Sequence, residues 1–254
     1  MAKKPIDPVV SMVGRFQTTA QMLAADVEER GGNLAEAFVL LARPVYVRER
    51  KQIADILASV REPVQEEVGI VEEWAAFYAK HFPQELANAG GAESLYAVTI
   101  PSVRKGFTRL IVVLKGLTLN GVYAACEKHF PCWRYTDNLD ASVTTSDRGP
   151  TTTYAVWVRE QVEADKKFAN KSANDLVAEH HTGITLLERM LYELKVFDGN
   201  GGHLDLRNVT LCTGSRYADG SVPDASWNDG EFRVYWTAPR RSYPSLRSRE
   251  VVSG

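Results

Sequence analysis

The sequence predicts an α+β protein, with a helical bundle at the N-terminus and a mixed α/β domain at the C-terminus. Three observations carry this. Apolar residues recur at helical spacing through the first ninety positions. β-Branched and alternating runs begin only past Gly91. After one long amphipathic segment at 182–197, the remainder reads as strand and turn. The implied boundaries are 1–92 for the bundle, 93–153 for an α/β connector and 154–254 for the C-terminal domain.

The elements follow in order. Val9, Met12, Phe16, Leu23 and Val27 mark a first helix, ended by Gly31-Gly32, and Asn33 is placed to cap the next. Leu34, Phe38 and Leu41 mark a second, and Ile53, Ile56, Leu57 and Val60 a third. Val64, Val68, Val71, Ala75, Tyr78 and Phe82 mark a fourth, closed by Pro83 and Gly90-Gly91. Short Gly or Pro turns between such stripes suit a packed bundle, although the stripes also suit an oligomer seam. The run 107–114 (FTRLIVVL) reads as a buried strand. Thr118 caps a helix with Leu119, Val122, Tyr123, Cys126 and Phe130 on one face. Residues 132–135 read as a strand, 144–153 as a loop, 154–159 as a half-buried strand and 161–173 as a solvated helix or linker. Thr185 and Glu188 form a capping-box pair at the start of the long helix, which 198–202 terminates. Strands are expected at 208–212, 226–227, 232–236 and 246–252.

Composition narrows the function. The chain has 254 residues, 44% hydrophobic and 24% charged, with a formal net charge of −2. That is ordinary globular composition, without the basic face that nucleic acid requires. No apolar run approaches the roughly 18 residues of a membrane span. The basic start lacks an apolar segment behind it, so no secretory signal is read. Cytoplasmic residence is then the default, with virion association or export without a cleaved signal as alternatives. Three cysteines make no disulfide framework and suit reduced thiols.

Motifs for catalysis are sparse. Cys126, His129 and Cys132 are close in sequence, with His180, His181 and Cys212 elsewhere, but paired zinc-ligand spacing is missing. Cys126 falls on an apolar helix face, which suits a core thiol. There is no G-x-S-x-G, phosphate loop or dinucleotide fingerprint, so neither a nucleophile nor a cofactor is expected. Trp227-Asn228-Asp229 offers oxygen ligands suited to calcium, but Asn-Asp-Gly is equally a hairpin turn.

The last fifty residues are the most informative. After Lys195 there is no lysine, yet there are seven arginines, Arg207, Arg216, Arg233, Arg240, Arg241, Arg247 and Arg249. From Tyr217 to Leu246, eighteen of thirty residues are Tyr, Trp, Ser, Gly, Asn, Asp or Arg, a paratope-like mixture. Tyr, Trp and Arg are enriched at interfaces and Lys depleted; the plain alternative is a turn-rich sheet with a polar outer face. Alternation puts Phe232, Val234 and Trp236 inward and Arg233 and Tyr235 outward. The expected binding surface is Arg233 and Tyr235 with Tyr217, Asp219, Ser221, Asp224, Ser226, Asn228, Thr237, Arg240, Arg241, Tyr243 and Ser245. Val222, Trp227 and Leu246 would anchor it from beneath.

The order of Leu211-Cys212-Thr213-Gly214-Ser215-Arg216, a Trp-centred stretch and Leu246-Arg247-Ser248-Arg249 resembles the C-type-lectin-fold variable proteins of diversity-generating retroelements. The resemblance covers about the last hundred residues, from Tyr154. Leu246-Arg247-Ser248-Arg249 replaces the family's Gly-Phe-Arg, and the usual Gly-Gly-Ser-Trp is split. The resemblance implies that residues 154–254 form a C-type-lectin-like domain, opened by strand 154–159 and closed by a C-terminal strand beside it. It further implies a display protein whose variable polar-aromatic surface meets a protein or other macromolecular ligand, with homo-oligomerisation as an option. Two other functions compete. One is a phage or cellular assembly protein that oligomerises through its helical half. The other is an enzyme built on dispersed residues such as His129 or His180-His181.

Overall fold

A computed structural model describes residues 27–33, 35–37, 51–52 and 65–254. Residues 64–254 form one compact unit. The first three stripes of the expected bundle, apart from Val27, lie outside the described residues. Asn33 does act as a cap, since its Oδ1 accepts the Glu36 amide at 3.1 Å.

The fourth stripe is helix α1 (Gln65–His81), followed by the short α2 (Pro83–Asn88) and α3 (Glu93–Tyr96). The other helices of the bundle expected around α1 lie largely outside the described residues; α1 packs on α2, α3 and strand β1 (Arg109–Val113). β1 pairs only with β4 (Tyr154–Val158) among the described strands, so its other edge needs partners. The Trp74 indole N–H donates to the Leu110 carbonyl at 3.1 Å, and the Tyr78 hydroxyl donates to that of Val112 at 2.6 Å. Aromatic residues with one polar atom thus seal a strand edge while burying their rings. The strand at 154–159 was expected to be half-buried; residues 155–158 are instead all part of the core, with β1 paired along one edge of the strand and the C-terminal tail along the other.

Helix α4 (Leu119–Glu127) begins at Thr118, whose hydroxyl accepts the Gly121 amide at 3.0 Å. Val122, Tyr123 and Cys126 are buried on its inner face. Then come β2 (Cys132–Arg134), the short α5 (Leu139–Ser142) and β3 (Val143–Ser146). The loop expected at 144–153 therefore starts in a strand, because β3 pairs with β6 (Ser215–Tyr217). The stretch 161–173 is not a solvated helix: Ala164, Asp165 and Phe168 are buried around a 3₁₀ turn at Lys166–Phe168. Helix α6 (Ala173–Ala178) follows, capped by Ser172.

Helix α7 (Leu186–Asn200) is the central strut, buried from Leu186 to Leu194. The capping box forms as expected. Thr185 Oγ1 accepts the Glu188 amide at 3.2 Å, and Glu188 accepts the Thr185 amide at 2.8 Å. The helix ends within the expected 198–202 stretch, at Gly201, whose φ of 69° lies in the left-handed region. Strands β5 (Val209–Leu211), β6, β7 (Val222–Asn228), β8 (Glu231–Thr237) and β9 (Leu246–Arg247) complete the chain. Five strands form one sheet in the order β2-β8-β7-β5-β9. Beyond β9 the tail returns beside β4, where Trp157 and Val252 exchange both backbone hydrogen bonds at 2.9 Å.

The architecture is thus mixed α/β, consistent with α+β. Ala225, Phe232 and Val234 face the large core that includes α7. The other sheet face is only half covered. A small second core of Phe168, Ala173, Leu176, Leu211, Val222 and Leu246 covers its β5–β9 side. Among the described residues the β2–β8 side has no such cover, and this division positions the candidate site.

Candidate functional site

The open half-face is built on the β7–β8 hairpin. Its two-residue turn is Asp229-Gly230, with φ of 53° and 81°, the all-positive geometry that hairpin twist favours. The hairpin half of the Asn-Asp-Gly alternative therefore describes the local backbone. Register places Ser226 opposite Arg233 and Asp224 opposite Tyr235. On the far side β2 pairs parallel with β8, setting Trp133 opposite Arg233. These side chains share one face, because directly paired residues project to the same side of a sheet.

They surround a concavity of about 800 Å³. Eight of the thirteen expected surface residues line it: Asp224, Ser226, Asn228, Arg233, Tyr235, Thr237, Arg241 and Tyr243. Tyr235 is 44% exposed, and its ring lies 5.5 Å from that of Trp133, itself 40% exposed. Tyr135, also exposed, meets the Tyr235 ring edge-on at 5.7 Å. Exposed aromatic rings gathered at one edge are unusual, because packing normally removes them from water.

The remaining five expected residues stand elsewhere. Tyr217 and Ser221 are buried, not superficial. β6 is held between β3 and the Ser221 end of the hairpin, so the Tyr217 ring turns inward and its hydroxyl reaches the Tyr235 carbonyl at 3.3 Å. The Ser221 hydroxyl serves its own turn, donating to Asp219. Asp219 is exposed at that turn, Arg240 is exposed and Ser245 is half-buried, and none of the three lines the concavity. Asp224 and Thr237 do line it, yet both are buried, contrary to the expected polar surface. Alternation gave their face correctly. It could not show that this face sinks between the second core and the aromatic edge.

Trp133, Glu231 and Val209 also line the groove and were not expected there, and Trp236, expected inward, is half-buried and lines it too. Trp133 sits in a strand that was legible, but its pairing with β8 spans about a hundred residues and has no local signal.

Charges in the groove differ in how they are satisfied. Arg233 is committed, with Nε donating to Glu231 at 2.7 Å and Nη2 lying 3.2 Å from Asp229. Arg241 is exposed, with its guanidinium 5.7 Å from the Tyr243 ring centre. Asp224 is 6% exposed, and its Oδ2 accepts from the Thr237 hydroxyl at 2.7 Å. Among the described residues no cation reaches it. Burial pushes its carboxyl up to about 6, against the Thr237 bond, which pulls it down.

The other chemical candidates are integrated into the scaffold. Cys126 is buried, as a core thiol, and burial drives its pKa well up. His129 bonds to His81, which bonds in turn to Asp198 at 2.9 Å. His181 lies 3.0 Å from the Ser248 hydroxyl, but Ser248 is fully buried and donates to the Leu211 carbonyl, so it is no accessible nucleophile. Gly214 and Ser215 have a structural role. A side chain at Gly214 would lie 2.8 Å from the Gly183 carbonyl, and Ser215 Oγ accepts the Leu186 amide at the start of α7. Among the described residues no group of three or more His, Cys, Asp or Glu is arranged to hold a metal ion. No described helix is long and apolar enough to cross a membrane. Comparison of the chain with family models, curated proteins and solved structures gives no match.

Proposed function

We propose that this chain is a ligand-binding protein, not an enzyme, and that the open half-face of the five-stranded sheet is its binding surface. The ligand is a macromolecule that presents an extended segment to the groove. The observation that carries this reading is the groove itself: Trp133 and Tyr235 are exposed side by side above a buried carboxyl. Clustered aromatic rings supply contact area at small entropic cost, and a few such anchors dominate affinity. Two features support a display protein related to the C-type-lectin-fold variable proteins. The tail returns beside β4, so residues 157 and 252 are adjacent. The groove is formed mainly by the late segment where the resemblance puts variability.

The test is to pan a random peptide library on the immobilised chain. Enriched peptides should lose binding to the double variant Trp133→Ala/Tyr235→Ala, whose melting temperature stays near that of the parent. Enrichment indifferent to the double substitution, or none at all, would overturn the reading.

A further inference from the structure

We infer that the groove recognises a cationic side chain of a polypeptide ligand, an arginine whose guanidinium sits on Asp224 and stacks against Tyr235. This rests on the reading of the groove as the binding surface and adds the chemistry of what enters it.

The argument begins with an imbalance. Elsewhere the buried acids come with built-in cations. Glu193 receives Arg189 Nη1 at 2.7 Å, Asp205 receives Arg249 Nη2 at 2.7 Å, and Glu188 receives Arg148 Nε at 2.7 Å. Asp165 receives Arg159 Nη1, also at 2.7 Å. Asp224 is buried too, but among the described residues its one hydrogen bond comes from a neutral hydroxyl. A carboxylate removed from water without a counter-charge is costly, and a ligand that supplies the charge recovers that cost on binding.

The groove's own arginines do not supply it. Arg233 is neutralised by Glu231 and Asp229, and Arg241 is exposed, where its charge is solvated and needs no partner. The unmet charge at the floor is therefore negative. The wall selects the form of the cation. Tyr235 stands directly opposite Asp224 in the β7–β8 register, with Trp133 against it. A planar, weakly hydrated guanidinium both stacks on an aromatic ring and hydrogen-bonds a carboxylate, which a compact ammonium does less well. Ser226 and Asn228 on the same strand offer hydrogen bonds to the flanking backbone of an extended peptide.

The experiment titrates the full chain with acetyl-Gly-Arg-Gly-amide, followed by nuclear magnetic resonance of the Trp133 indole and the Tyr235 ring. Peptides with citrulline or glutamate in place of arginine serve as comparisons. The arginine peptide should shift both signals, and citrulline, its neutral near-isostere, should bind at least about tenfold more weakly. Asp224→Asn should cause a similar loss without lowering the melting temperature. The citrulline comparison uses the parent chain, so it decides the matter even where the variant folds poorly. If citrulline or glutamate binds as well as arginine and moves the same signals, the groove binds ligand but the assignment to a cation is wrong. If none of the three peptides moves them, the assignment and the binding surface both fall.

Discussion

Two acidic centres lie on either side of the same sheet and are treated in opposite ways. Beneath it, Asp205 and Glu193 are fully buried with Arg189 and Arg249, two negative charges against two positive. Asp205 also accepts the Ala164 amide and the Thr210 hydroxyl. The Leu204 amide faces Glu193, and His203 lies 2.8 Å from it while stacking on Trp227. Above the sheet, Asp224 has Thr237. The difference teaches that this fold can pair a buried carboxylate when the pairing is structural. A buried acid left with one neutral partner among the described residues, in a groove walled by exposed rings, supports the proposal that this surface has a use outside the fold.

The largest effect expected from breaking this comparison is at the paired centre. Asp205→Asn leaves the buried Arg249 guanidinium without its carboxylate partner and Arg189 with Glu193 alone. Asparagine tolerates the left-handed backbone found there, φ 57°, so the substitution isolates the charge. Loss of one partner of a buried ionic cluster costs about 3–5 kcal/mol, which urea unfolding should register as a large fall in the midpoint. A loss of under about 1 kcal/mol would show that the cluster is not holding the sheet to α7. Asp224→Asn in the same assay should be neutral or stabilising at neutral pH.

A smaller contrast comes from pH. Glu250 receives Arg104, Arg159 and Lys167. Burial acts to raise its pKa, yet those partners hold it down at about 2, against an ordinary 4.5. Its contribution to stability is present above 4.5 and is lost as the pH falls towards 2. Asp224 runs the other way, raised by burial from 3.8 to about 6. Its protonated form suits the folded state, so its contribution is fully present below 3.8 and is lost as the pH rises through 6. Stability measured across pH should therefore show Asp224→Asn gaining on the parent between these two values, whereas Glu250→Gln loses ground only above about 2. Parallel curves for Asp224→Asn and the parent would mean that the groove carboxyl ionises as freely as in water.

Much of this scaffold was legible because its signals are local. The capping box at Thr185 and Glu188, the Thr118 cap and the alternation of Phe232 and Val234 each depend on residues a few positions apart. The site was legible only in part. Composition pointed to the stretch that lines most of the groove, but it could not separate Tyr217 and Ser221, turned inward by β6 and its turn, from Tyr235 and Arg241 on the groove. Trp133 was missed because it joins the site through a parallel pairing of distant strands. The burial of Asp224 was missed for a related reason. Asp224 stands at the border of the open half, paired with Leu211 of the second core, to which Phe168 contributes from the 161–173 stretch whose polar composition suggested solvent.

The smallest expected effect on stability is also the sharpest test of the open half-face. Tyr235 is 44% exposed and Arg241 is exposed, so truncating either removes little packing. Tyr235→Ala and Arg241→Ala should each stay within about 0.5 kcal/mol of the parent, the usual range for surface changes. Binding of library-selected peptides should nonetheless fall with Tyr235→Ala by roughly tenfold or more, as at a buried aromatic anchor, and with Arg241→Ala by less, because a rim charge is solvated in both states. This order, with little effect on folding and a graded effect on binding, separates a surface kept for a partner from a merely polar outer face. On a polar face with no partner, both substitutions would leave folding and binding alike untouched. On a face that the fold itself needs, Tyr235→Ala would lower stability by an amount comparable to the loss of a core ring, about 3–5 kcal/mol.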